Sequence, residues 1–154
     1  MGVYSLTVET TSNATAGSAD SNAVAQFLMA SGRDARLLAV LIKPQELSNT
    51  QHSGQWVIDR ISAVGTASSL TPLKMDATSP ASAITDTSKT ISTTVAAANT
   101  HVDAAILQLA DGWNFFTDPK LVVRAGAGQG FALRRATAPS GSQTVDCTMI
   151  WEEI

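Results

Sequence analysis

Cysteine, histidine and charge are all scarce in this chain, and each scarcity removes a class of function. A single cysteine, Cys147, excludes an intrachain disulfide framework and a cysteine-based zinc site. Stability must therefore come from packing or from oligomerisation. The two histidines, His52 and His101, sit among polar, turn-like residues and lack the HxH, HExxH and Cys-His spacings of metal sites. They read as solvated loop side chains, and no metal or cofactor is expected. Charged residues make up 15% of the chain, against roughly 25% in ordinary soluble domains. The net charge of −3 disfavours direct binding of nucleic acid, which needs a basic face. Arg33 with Arg36, or Arg134 with Arg135, are too few to build one. The longest wholly apolar run, Leu37 to Ile42, falls far short of the roughly 20 residues of a membrane helix. The start, MGVYSLTVET, has neither the basic region nor the apolar stretch of a signal peptide. Synthesis in the cytoplasm and no membrane association are the expectations.

Catalytic motifs are missing as well. Serine is abundant, but no GxSxG elbow occurs. Glu152 and Glu153 adjoin, and adjacent strand residues point to opposite faces, so they cannot flank one substrate bond. They read as a solvated chain end. Gly126, Gly128 and Gly130 in AGAGQG resemble a phosphate loop only superficially. The dinucleotide fingerprint needs a following helix, whereas FALRRAT reads as strand. A tight hairpin turn accounts for these glycines without a ligand.

What remains is a chain of short strand-like runs separated by turns. At 154 residues it suits one domain with a real core. Tyr4, Leu6 and Val8 alternate with polar residues as in a half-buried strand, and Thr10 to Asn22 reads as a loop or extended arm. Residues 22–30 fit a helix or a strand. Asp34 to Lys43 is apolar on both alternating faces, as in a strand covered on both sides or lying at the centre of a sandwich, and Pro44 closes it. Gln55 to Val64 alternates, with Trp56, Ile58, Arg60 and Ser62 on one side. Leu70 to Met75 is a short strand interrupted by Pro72, Asp76 to Lys89 a long connection, and Ile91 to Val95 a further strand. Residues 102–110 leave helix and strand open, with their neighbours favouring strand. Leu121 to Arg124, Gly130 to Thr137 and Thr144 to Glu152 complete the set. The fold class is therefore all-β: a jelly-roll or Greek-key sandwich of about eight short strands over residues 1–154. Residues 1–22 are the candidate for including an N-terminal arm.

Serine, threonine, alanine and glycine fill the places that long charged side chains usually take. Such a surface associates with little side-chain ordering or desolvation to overcome. Trp113, Phe115 and Phe116, in DGWNFFTDP, are the candidate partner-contact residues. Their simpler reading is insertion into the core, and their functional reading is an aromatic patch for a protein or sugar. Trp56 and Trp151 read as core or inter-subunit packing, and Cys147 as a small buried hydrophobe.

Three stretches, in order, resemble parts of small jelly-roll proteins of tailed-phage virions. They are WVIDRISAVGTASSLTPLKMD at 56–76, LVVRAGAGQGFALRRATAPSGS at 121–142 and the closing VDCTMIWEEI. Their order is similar to that in capsid decoration, or cement, proteins. The resemblance implies a structural virion protein with no catalytic residues. It implies homotrimers on the outer surface of the phage head, stabilising contacts between major capsid protein subunits. The alternative is a receptor- or carbohydrate-binding module of a head fibre or tail spike. A cupin-type enzyme fits least, since two distant histidines do not make its metal site.

Overall fold

The computed structural model describes residues 2–12, 22–29, 33–44, 54–63, 70–88, 92–93, 95–107, 113–116, 124–125, 129–135 and 143–154. Every regular element among them is a strand: β1 (Gly2–Ser12), β2 (Asn22–Met29), β3 (Ala35–Pro44), β4 (Gly54–Ala63), β5 (Leu73–Lys74), β6 (Ile84–Ser88), β7 (Ser92–Thr93), β8 (Val95–Leu107), β9 (Trp113–Phe116), β10 (Arg124–Ala125), β11 (Gly130–Arg135) and β12 (Gln143–Glu153). They form two antiparallel sheets. Sheet A runs β10-β3-β12-β1-β5, with β9 also on β3; sheet B runs β6-β2-β11-β4-β8, with β7 also on β2.

The pairing is nested. β1 pairs with β12, β2 with β11, β3 with β9 and β4 with β8. The chain is thus one long hairpin whose successive rungs alternate between the two sheets, the winding of a jelly roll. The remaining strands, β5, β6, β7 and β10, add to the edges of this eight-strand frame.

Period-2 patterning explains which side chains meet between the sheets. Tyr4, Leu6 and Val8 of β1, Cys147, Met149 and Trp151 of β12, and Leu37, Val40 and Ile42 of β3 face Phe27, Trp56, Ile58, Phe131 and Leu133 of sheet B. At the centre, Phe27 stacks on Trp151 with ring centroids 4.6 Å apart and meets Phe131 edge-on at 5.7 Å. These separations suit the quadrupoles of aromatic rings. Trp56 and Trp151 are both core residues.

Residues 22–29 are a strand because Ala25, Phe27 and Met29 face the core in alternation, while β11 and β6 pair with the backbone on either side. Residues 102–107 likewise lie in β8, paired with β4. Three expectations need correction. β1 continues through Ser12, opposite Gln143, into the stretch read as loop or arm; residues 13–21 lie outside the described residues. The connection over 76–89 contains β6, whose alternating Ile84 and threonines suit an edge strand beside β2. The strand covered on both faces is β4 rather than β3. Trp56, Val57, Ile58 and Asp59 are consecutive and all buried, whereas Arg36, Leu38 and Leu41 of β3 stay half-exposed. A bulge at Leu38 shifts the β3–β12 register between Ile150 and Trp151, which keeps Leu37 and Val40 both facing inward.

The glycine turn has a steric component. Gly130 opens β11 where a Cβ would stand 1.7 Å from the Phe27 carbonyl oxygen. Gly130→Ala must push β11 away from β2, and is expected to cost at the upper end of about 1–3 kcal/mol. Urea unfolding of the variant measures it.

Candidate functional site

The outward faces of the two sheets differ. On sheet B, the outward residues Gln26, Val57, Asp59, Ile61, Ala132 and Arg134 are buried within the chain itself, and Leu28 is half-exposed. Arg134 Nε donates to Asp59 Oδ2 there, a paired charge sealed from solvent. Asp59 also stands opposite His101 in the β4–β8 register.

On sheet A the outward face remains accessible, and its residues fall in cross-strand rows. Glu152 stands between Val3 and Arg36, Ile150 between Ser5 and Ala39, Thr148 between Thr7 and Leu41, and Asp146 opposite Lys43. Arg36 Nη2 lies 2.8 Å from Glu152 Oε2, and the Thr7 and Thr148 hydroxyls are 3.0 Å apart. The face therefore has a charged row at each end and an apolar and hydroxyl middle. Its acids lie on β12 and, at Glu9 opposite Asp146, on β1; its bases lie on β3 and, at Arg124 opposite Arg36, on β10. At the β5 edge, Leu73 and Met75 are 68% and 60% exposed, and the Met75 N–H donates to the Val3 carbonyl.

The chain end is not solvated, contrary to the reading of Glu152-Glu153 from sequence. The two carboxylates do point to opposite faces. Glu152 pairs with Arg36, while Glu153 is wholly buried. Glu153 accepts from the Ser82 hydroxyl, from the Ala83 N–H at 2.9 and 3.0 Å, and from Trp151 Nε1 at 3.4 Å. Beside it the Tyr4 hydroxyl donates to the Pro80 carbonyl at 2.9 Å. Burial pushes the Tyr4 phenol above its ordinary pKa; the Glu153 charge adds to this and Arg33 opposes it. The segment approaching this anchor begins in a turn where the Thr78 N–H and hydroxyl both donate to Asp76 Oδ1, holding that carboxyl below the ordinary carboxylate range. Glu153 is thus the anchor of the 76–83 segment.

The aromatic candidates lie on β9, opposite β3: Trp113 faces Ile42 across the ladder, Phe115 faces Val40 and Phe116 faces Ala39. Phe115 is half-buried and packs against the core, and Asn114 is exposed. The strand pleat separates positions 115 and 116 onto different faces, so the three do not share one patch. Among the described residues no group of three or more His, Cys, Asp or Glu could hold a metal ion, and no helix is long and apolar enough to cross a membrane. Cys147 is buried and in no disulfide. His52, Gly126 and Gly128 lie outside the described residues.

Sequence reasoning missed the Glu153 anchor and the Asp59–Arg134 pair. For the pair a signal was present, a charge inside each of two apolar strands, QWVIDRISA and GFALRR. For the anchor there was none, because its partners are backbone and hydroxyl groups some seventy residues away. No protein-family model matches the chain, and neither does any curated protein or solved structure.

Proposed function

We propose that this chain is a structural virion protein of a tailed phage: a capsid decoration protein that binds the outside of the head and stabilises contacts between major capsid protein subunits. The observation that carries this reading is the order of the three stretches at 56–76, 121–142 and 145–154, similar to decoration proteins. The jelly-roll winding agrees with the fold that the resemblance implies. In this reading the role is mechanical, with no catalytic residues, cofactor, nucleic acid or membrane. Trimers are the form the resemblance implies, since closed three-fold symmetry matches a local three-fold position on a shell. The protein is made in the host cytoplasm and resides on the capsid surface.

The test uses phage heads assembled without the protein. Added protein should co-sediment with them and raise the temperature at which they release DNA. Heads that neither bind it nor gain stability contradict the proposal. The sugar-binding alternative draws no support from Phe115, whose ring packs against the core.

A further inference from the structure

The outward face of sheet A is apolar in the middle, uncovered by the described residues, and charged in a pattern that complements itself. β3 carries apolar residues on both of its alternating faces, yet on the outward one Ala39 is buried in the protomer while Leu38 and Leu41 are not. Leu38, Leu41 and Ile150 are half-exposed there, while among the described outward side chains of sheet B only Leu28 is half-exposed. We infer that this face is the contact between two copies of the chain, stacked sheet on sheet about a two-fold axis parallel to the strands and between β3 and β12.

The charges select both the occupant and the axis. The acids at outward positions are Asp146 and Glu152 on β12 and Glu9 beside Asp146 on β1; the bases are Arg36 and Lys43, at the matching heights on β3, and Arg124 beside Arg36 on β10. Rotation about an axis along the strands keeps each residue's height and exchanges the two strands. Arg36 of one copy then lies over Glu152 of the other, and Lys43 over Asp146. Leu41 meets Thr148, and Ala39 meets Ile150, in the interior. An axis in the same plane but across the strands would set β12 over β12, with Glu152 near Asp146, and like charges facing disfavour it. A tilt of the strands from the axis gives the crossing of about −30° usual for stacked sheets. The arrangement is isologous, so each ion pair occurs twice. Four strands at about 4.8 Å spacing and four outward rows give a contact on the order of 1,000 Å2 in total. That is the low end for specific interfaces and points to micromolar association.

This pairing is independent of the decoration proposal. Either can fail alone, because head binding and self-association are read by separate assays. The test is sedimentation equilibrium of the full chain up to about 100 µM, the range an interface of this size requires. The expected result is an even-numbered species: a dimer, or a hexamer if a three-fold contact is also present. A monomer or a trimer throughout overturns the inference. Lys43→Glu is expected to weaken association at least about tenfold by setting like charges opposite each other twice. Adding Asp146→Lys should restore it to within about threefold. Leu41→Ser, central to the face but outside the core between the sheets, should also weaken it about tenfold, with circular dichroism checking the fold. Wild-type association in Leu41→Ser, or no recovery in the double charge swap, overturns the inference.

Discussion

Arg134→Leu is expected to lower the unfolding free energy by about 3–5 kcal/mol, the loss typical when one member of a buried ion pair is removed. The side chains of Arg134 and Asp59 are 8% and 1% exposed, so water cannot take the place of the lost partner. The substitution leaves a carboxylate between strands that are buried on both faces. The converse variant, Asp59→Leu, removes the carboxylate that the buried Arg134 guanidinium pairs with and should cost a similar amount. Removing both charges is a different matter. With Arg134→Leu and Asp59→Leu together, an apolar pair replaces the ion pair, and stability should return to near wild type or exceed it. A thermodynamic cycle by guanidinium chloride unfolding measures this. Additive losses in the double variant would mean the two groups do not act as a pair.

Glu153→Ala is expected to cost about 3 kcal/mol, because hydrogen bonds to a charged acceptor are each worth about 1.5–3 kcal/mol. It removes the acceptor for the Ser82 hydroxyl, the Ala83 N–H and Trp151 Nε1 together. The loss should also have a local signature. The 76–83 segment would keep the Tyr4–Pro80 hydrogen bond and the Asp76–Thr78 turn, but not its fixed point on β12. Limited proteolysis should then cut within this segment under conditions that leave the wild-type chain whole. Glu153→Gln, which keeps one carbonyl acceptor, should fall between the two. Unchanged proteolysis in Glu153→Ala would show that other contacts hold the segment.

The sequence made the all-β class legible because alternation is local. Tyr4, Leu6 and Val8, or Cys147, Met149 and Trp151, announce a half-buried strand in a handful of residues. The ambiguity at 22–29 had a physical basis: NAVAQFLM is short and apolar enough for either state, and only the neighbours β11 and β6 decide it. Cover was not legible. The apolar alternation of 34–43 suggested a layer on each side, but which strand receives the second layer depends on how the hairpin rolls, and β4 receives it. Glu153 was misread for the same reason, since its burial depends on a segment distant in sequence. Of the aromatic candidates, DGWNFF admitted both core insertion and an exposed patch, and that the Phe115 ring packs inward is a matter of register against Val40. The outer surface of sheet A was half legible. The excess of apolar residues in β3 was visible, but the segregation of acids onto β12 and β1 and of bases onto β3 and β10 emerges only once the strands are paired.

Hydroxyl-radical footprinting read by mass spectrometry, well below and well above the midpoint of self-association, tests most directly whether sheet A carries the assembly surface. The expected result is that Leu38, Leu41 and Ile150 label in dilute protein and are protected in concentrated protein. Val57 and Ile61, buried on the outward face of sheet B, should stay protected throughout. Equal labelling of Leu41 and Ile150 at both concentrations would contradict the assignment, as would protection that appears elsewhere on the chain instead.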